Sequence, residues 1–297
     1  MSYETLLYGV GEGVATITFN RPEQLNTIVP PMPDEIEAAI GVATNDPEVR
    51  VIILRGAGRA FCAGYDFSGG NTGWEEEGAD PRDWDAGRDF AMVTQPQTGP
   101  TPKMMSIWNT LKPVIAQVHG WCVGGGSDMA LCADLVIASD DAVIGTPYAR
   151  MWGTYLSGMW IYRLGLTKVK ELALSGRQLS GTEAVEIGLI NRAVPFEQLE
   201  ETVSEQARQI CSIPPSQTAA MKLVVNQAYD NMGLASTRTL GGILDGLMRH
   251  TPDAQEWLDL VREEGVRAAV EQRDGPFGDY SQAPPERRPN PENVIEP

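Results

Sequence analysis

Three consecutive glycines, Gly124-Gly125-Gly126, stand where a buried strand (Val114 to Val118) gives way to a short apolar helix from about Ser127. Without a Cβ, such residues let backbone N–H groups come right up to a ligand. At a helix start they also sit at the positive end of the helix dipole. The place suits a negatively charged oxygen. A dinucleotide fingerprint would need glycine at Met129, a P-loop would need Gly-Lys-Ser/Thr, and a nucleophile elbow around Ser127 would again need glycine at 129. None of these spacings is met. The glycines would equally permit close packing of helix on strand with no ligand at all. A second glycine-bearing turn follows the buried strand Val49–Leu54: Gly56 to Arg59, then Ala60-Phe61-Cys62-Ala63-Gly64-Tyr65-Asp66.

The segments RAFCAGYD, VIAQVHGWCVGGGSDMALCADLVIAS and LALSGRQLSGTEAVEIGLINRAV, with the opening ITFNRPEQLNTI, resemble the crotonase (enoyl-CoA hydratase/isomerase) superfamily over about residues 5–270. The resemblance implies an α/β fold, a crotonase-like ββα spiral core with a helical C-terminal region. It also implies a coenzyme A thioester substrate whose carbonyl sits in an oxyanion hole made by the backbone N–H groups of two turns. Carried over by position, the donors are Tyr65 and Gly125, with Ala63, Gly64, Asp66 and Gly124 around the substrate. Asp66 also reads as a cap for the turn that follows it. Coenzyme A as part of the substrate is the only cofactor implied. A homotrimer or a dimer of trimers is the implied assembly.

Two carboxylates manage water and the α-proton in the hydratases of that family, and this chain departs from the pattern at both. Asp128 stands at the first matching position and Tyr148 at the second. Aspartate is a methylene shorter than glutamate, and a displacement of about 1 Å can lower a rate on the order of a hundredfold. Tyrosine, with a reference pKa of about 10, donates protons near neutral pH and is a poor base. A two-glutamate water addition cannot be written for this pair. Asp128 could act as a single acid/base with Tyr148 positioning water or donating to the acyl chain, or it could be a helix-start acid. Replacement carboxylates are available at Asp83, Asp85 and Asp89.

The elements that must position these residues read as follows. Thr5–Val10 and Val14–Phe19 alternate around Gly11-Glu12-Gly13 in the manner of a hairpin. A helix with an apolar face at Ile36, Ala39, Ile40 and Ala43 follows. Strands then alternate with helices through Val49–Leu54, Val114–Val118, Asp134–Ala138 and Leu189–Val194, the pattern of a parallel sheet with helical crossovers. Residues 1–195 read as the spiral core, with an inserted segment at about 67–110. Residues 196–274 read as a helical region (Phe196–Ile210, Ser216–Asn231, Thr237–Leu247 and Asp253–Arg273), which the resemblance implies is oligomerising, and 275–297 as an extended or disordered tail.

The inserted segment carries Gly69-Gly70, Glu75-Glu76-Glu77, Trp74, Trp84 and Trp108. It reads either as a solvated acidic excursion or as an ordered lid over an acyl pocket, which indole rings favour. With Trp121, Trp152 and Trp160, six of the seven tryptophans fall between residues 74 and 160. Trp84, Trp108 and Trp152 are therefore expected either to line a wide apolar pocket for a large acyl group or to pack in the ordinary core. For the coenzyme A phosphates Arg59 is the leading candidate, with Arg273 and Arg21 as further ones.

The 297 residues are 42% hydrophobic, enough for a large core, and carry 40 acidic against 23 basic residues, a net charge of −17. That balance argues against nucleic acid or anionic membranes as partners. No apolar run is long enough to span a bilayer and no leader pattern is present, so a cytoplasmic protein is expected. Cys62, Cys122, Cys132 and Cys211 form no CxxC pair and read as free thiols. Two histidines, His119 and His250, supply a metal site or a Ser-His-Asp triad poorly, and no metal is expected. The expectation is an acyl-CoA enzyme that stabilises an enolate, an enoyl-CoA hydratase or isomerase with an unusual acid/base pair. The alternatives are a hydrolase cleaving a C–C bond in a β-dicarbonyl thioester and an acyl-CoA binder with little catalysis.

Overall fold

A computed structural model describes residues 3–68, 84–95 and 99–297. Gly69-Gly70, Trp74, the Glu75–Glu77 run and Asp83 lie outside the described residues.

The hairpin of β1 (Leu6–Gly11) and β2 (Val14–Phe19) opens the chain, its turn formed by Glu12 and Gly13 at positive φ. Helix α1 (Pro31–Asn45) returns the chain to β3 (Val51–Gly56), which pairs parallel with β2. Beyond β3 come β4 (Ala60–Cys62), then α2 (Ala86–Thr94), α3 (Pro100–Met104) and α4 (Ser106–Asn109). The next units are β5 (Val114–Val118) with β6 (Trp121–Val123) and α5 (Gly125–Leu131), then β7 (Leu135–Ser139) with β8 (Val143–Gly145). Helices α6 (Met159–Arg163) and α7 (Leu166–Ser175), the short strand β9 (Leu179–Ser180), α8 (Gly181–Glu186) and β10 (Arg192–Val194) complete the core.

Two sheets result. The larger runs β1-β2-β3-β5-β7-β10 and is parallel except at the hairpin, and the smaller runs β4-β6-β8-β9. Three strands of the first each hand the chain within a few residues to a short strand of the second, so β3/β4, β5/β6 and β7/β8 repeat one motif. Residues of β3 and β5 are buried on both faces. Ile52, Leu54, Val114 and Ala116 pack toward α1, while Val51, Ile53 and Ile115 pack against Leu199, Val203 and Ala207 of α9 (Phe196–Cys211).

Helices α10 (Pro215–Asn231), α11 (Leu234–Arg249), α12 (Pro252–Glu264) and α13 (Val266–Asp274) follow. The single helix expected over Asp253–Arg273 is two, broken at Gly265, whose φ of +88° no helix accommodates. The last stretch also differs from expectation. Residues 275–297 do not run free: they form short 3-10 turns packed on the core, and Ile295 bridges Gly58. Buried Arg150 fastens them. It bonds both carboxylate oxygens of Asp279 at 2.6 Å, and Asp274 at 3.0 Å just ahead of the stretch, while its guanidinium lies 3.8 Å from the Phe277 ring centroid. Tyr280 is buried and donates to the Gly176 carbonyl at 2.6 Å. A segment poor in aliphatic residues is thus ordered by ion pairs and two aromatic rings.

Candidate active site

Parallel pairing of β4 with β6 brings the two glycine-bearing turns side by side. A Cβ at Gly64 would lie 3.1 Å from the Val123 carbonyl oxygen and 3.7 Å from the Gly125 nitrogen, and Gly64 has φ +92°. Only glycine lets these backbones approach so closely. The first turn is pinned to Ile28, which donates its N–H to the Gly64 carbonyl at 2.8 Å and accepts from the Asp66 N–H at 3.0 Å. Gly125 is the first residue of α5, where an N–H has no helical carbonyl behind it. The Tyr65 ring lies over it, so close that a Cβ at Gly125 would meet Tyr65 Cε2 at 2.7 Å.

Asp128, one turn into α5, is 4% exposed. One of its carboxylate oxygens accepts from the Ser157 N–H at 3.1 Å and from the Ser157 hydroxyl; the other accepts from the Tyr148 hydroxyl at 3.1 Å. Burial raises its pKa from 3.8 to about 6 against the pull of those three donors. Burial, with the Asp128 charge beside it, pushes the Tyr148 phenol well above its ordinary value, so Tyr148 is a donor throughout the neutral range. Asp128 lies behind Tyr148, in a small hollow shared with Tyr65, Gly125 and Leu156.

Tyr148, Tyr65, Gly124 and Gly125 belong to the wall of a cavity of about 830 Å³. Arg59 and Arg273 line it as well, and so does Arg267, which sequence reasoning missed. Trp152 contributes to an aromatic wall with Phe67 and Trp257, the three rings meeting edge to face with centroids 5.4–5.7 Å apart. Asp245 of α11 is the further surprise. Its side chain is 18% exposed, lies 3.2 Å from Arg249, and lines the cavity. Burial is the main reason its pKa rises from 3.8 to about 6; the Arg249 charge opposes the rise and Asp89 adds to it.

Not every expected residue reaches the cavity. Trp84 stacks on the His250 ring with centroids 4.5 Å apart, and Trp108 is buried edge-on against Tyr229 of α10. Neither lines the cavity wall, because each indole already has an aromatic partner on the C-terminal helices. Arg21 is also committed elsewhere: it bonds Thr27 and, at 3.2 Å, Asp66. Asp66 lines the cavity, but its carboxylate also holds the turn, accepting from Thr27 and the Ser68 N–H at 2.9 Å each. Of the proposed replacement carboxylates, Asp85 caps α2 and Asp89 pairs with Arg249 at 2.7 Å; neither lines the cavity. His119 is fully buried, with Nε2 2.7 Å from the Gly58 carbonyl oxygen. Among the described residues no group of three or more His, Cys, Asp or Glu side chains could hold a metal ion, and no helix is long and apolar enough to cross a membrane. Cys62, Cys122, Cys132 and Cys211 are free thiols.

A family model described as enoyl-CoA hydratase/isomerase matches residues 9–280 of the chain. A protein from Rhodobacter capsulatus named "Probable enoyl-CoA hydratase" is 30% identical over 280 residues, covering 92% of this chain and 97% of that one. Among solved structures, an enoyl-CoA hydratase from Mycobacterium smegmatis is 37% identical with a TM-score of 0.87, covering 94% of this chain and 96% of its own. An enoyl-CoA hydratase/isomerase from Xanthobacter autotrophicus Py2 is 31% identical with a TM-score of 0.79, covering 93% and 99%.

Proposed function

Because the chain belongs to the enoyl-CoA hydratase/isomerase family and has its crotonase fold, we propose that it acts on acyl-CoA thioesters through an enolate, with Asp128 and Tyr148 as the proton-handling pair. The observation that carries this reading is the contact of the two turns, which sets the Gly125 nitrogen 3.7 Å from the Cβ position of Gly64, next to Tyr65, on the cavity wall. A thioester oxygen placed there would accept from the N–H groups of Tyr65 and Gly125. Each such donor is worth about 3–4 kcal/mol when charge develops on the oxygen.

Enolate formation moves the α-C–H electron pair into the new C–C double bond and the carbonyl π pair onto oxygen. The proton passes to the Tyr148 oxygen as the Tyr148 proton passes to Asp128, which is ionised above pH about 6. Returning a proton at the α- or γ-carbon reverses or isomerises the system. The aromatic wall of Phe67, Trp152 and Trp257 supports a large apolar acyl group. Arg59 and Arg267, with Arg273 beside its partner Asp274, line the cavity, and the first two supply the surplus positive charge that coenzyme A phosphates need in so acidic a protein. Exposed Leu223, Val224, Leu240, Leu244 and Leu247 on α10 and α11 support packing against further copies of the chain.

The test is incubation with crotonyl-CoA and with longer and cyclic enoyl-CoA esters, alongside exchange of the α-protons of butanoyl-CoA in deuterated water. Turnover and exchange that are both lost in Asp128→Asn support the reading. Binding without product or exchange across the whole panel overturns it, and unchanged rates in the variant remove Asp128 from the chemistry.

A further inference from the structure

Tyr148 occupies a position from which no carboxylate reaches the acyl chain, yet the cavity does hold a second carboxyl group. Asp245 arrives from α11, more than a hundred residues along the chain from Asp128. A Cβ at Gly153 would lie 3.0 Å from Tyr148 Cδ2 and 3.3 Å from Asp245 Oδ1, so a single atom position touches both side chains. On its other edge the Tyr148 ring lies 3.7 Å from the Cβ position of Gly124. Gly124, the Tyr148 ring and Asp245 therefore follow one another along the cavity wall, with Gly153 between the last two.

The setting of Asp245 is unlike that of a surface ion pair. Arg249 lies 3.2 Å from its carboxylate but gives its shorter contact, 2.7 Å, to Asp89 of α2. One cation is thus shared by two carboxylates, and the Thr154 N–H also favours the ionised form of Asp245. Helix α2 is fitted to this spot: a Cβ at Gly246 would fall 1.6 Å from Asp89 Oδ2. The charged and titratable groups around Asp245 are Arg249 and the cavity-lining Arg238 on its own helix, Asp89 on α2, Asp128 on α5, and the phenols of Tyr148 and Tyr65. Its burial and partial neutralisation let both protonation states exist near pH 6.

Building on the acyl-CoA reading above, we propose that Asp245 is the second catalytic carboxyl of the site and takes the proton from the water that adds to the β-carbon of an enoyl thioester. The water oxygen bonds to the β-carbon as its O–H proton passes to Asp245. The C–C double-bond pair moves toward the α-carbon, forming the enolate held by the two backbone N–H groups. Protonated Asp128 then supplies the α-proton through Tyr148. The sum is addition of one water, and the two carboxyls exchange protonation states and are reset by transfer of one proton from Asp245 to Asp128. Asp89, acting through Arg249 and its own charge, is a positioning residue that sets where Asp245 titrates.

The experiment compares hydration of crotonyl-CoA with α-proton exchange of butanoyl-CoA on the full chain, because exchange needs the turns and the Asp128–Tyr148 pair but no added water. In Asp245→Asn the ratio of hydration to exchange should fall about 100-fold or more, the size of a lost general base. In Asp89→Asn the fold-destabilising risk is smaller and the readout is different. Removing that charge leaves Arg249 to Asp245 alone, so the ascending limb of the hydration pH profile moves to lower pH while the exchange rate at its plateau is kept. A hydration-to-exchange ratio unchanged in Asp245→Asn, or an ascending limb that stays in place in Asp89→Asn, overturns the proposal. Absence of both reactions in the parent protein overturns the acyl-CoA reading and this inference with it, whereas intact exchange with hydration surviving Asp245→Asn overturns this inference alone.

Discussion

Replacing Asp128 with asparagine should make the protein more stable as it makes it inert, and the gain should depend on pH in a way the structure fixes. In the unfolded chain the carboxyl titrates near 3.8; in the folded chain burial raises that to about 6. Between those values the native state binds more protons than the unfolded state. Stability contributed by this group is therefore present at low pH, falls as pH rises, and stays low above pH about 6. At 1.36 kcal/mol per pH unit the full penalty for holding Asp128 ionised is about 3 kcal/mol. Asparagine does not titrate. Its carbonyl oxygen can keep the Ser157 donors and its amide can meet the Tyr148 oxygen, so little hydrogen bonding is lost. Urea unfolding at one fixed protein concentration reads the difference. The advantage of Asp128→Asn over the parent should grow by about 1.5 kcal/mol between pH 5 and pH 8. A gap that stays constant over that range, or that widens toward pH 5, would refute the account of Asp128 as a strained, ionisable group held for chemistry.

Three further outcomes follow from the same geometry. Tyr148→Phe removes one of the donors that hold Asp128 down, so α-proton exchange of butanoyl-CoA should fall on the order of a hundredfold or more and its ascending pH limb should move upward. Gly64→Ala forces a side chain onto φ +92° against the Val123 carbonyl and pushes the two turns apart; turnover should drop about 100-fold while circular dichroism is retained, with Gly9→Ala, where a Cβ meets nothing within 4 Å, as the silent control. Arg150→Met strands the buried carboxylate of Asp279 while Asp274 keeps Arg273, so it should destabilise the protein by about 3 kcal/mol and expose residues 275–297 to limited proteolysis.

What the sequence disclosed and what it withheld divide along a physical line. The two turns were readable because the need for glycine is local: a buried apolar strand followed by residues without a Cβ announces close backbone approach. The long strands were readable too, since β3 and β5 are apolar on both faces. The second sheet was not, because strands of two or three residues are too short to show a period of two. The ordering of 275–297 was hidden for another reason. Arg150 and Asp279 are 129 positions apart, and a proline-rich, charged stretch looks the same whether its charges meet water or a buried guanidinium. Asp245 was missed likewise, since an Asp–Arg pair four residues apart on a helix is the ordinary signature of a solvated face. Trp84 and Trp108 misled in the opposite sense: their bulk suggested a pocket, and they pack instead against His250 and Tyr229 of the C-terminal region.

Those same distant pairings give the cavity a polarity that composition hides. At one side Arg273 is matched by Asp274, and Arg150 behind it by Asp274 and Asp279, so Arg59 and Arg267, both exposed, remain as surplus positive charge on the wall. On the α11 side Arg238 and Arg249 stand with the three carboxyls of Asp245, Asp89 and Asp128, which leaves the balance negative when all three are ionised. A ligand with a polyanionic handle and an electrically neutral reacting end has one orientation in such a field. The handle lies toward the arginines, and the reacting end is delivered to the wall where carboxyls can change their protonation. Reversing the ligand would set its phosphates beside Asp245, where repulsion acts in a poorly screened interior. The acidic surface thus leaves the site workable because charge is partitioned inside the cavity, through residues that meet only when the C-terminal helices close over the core.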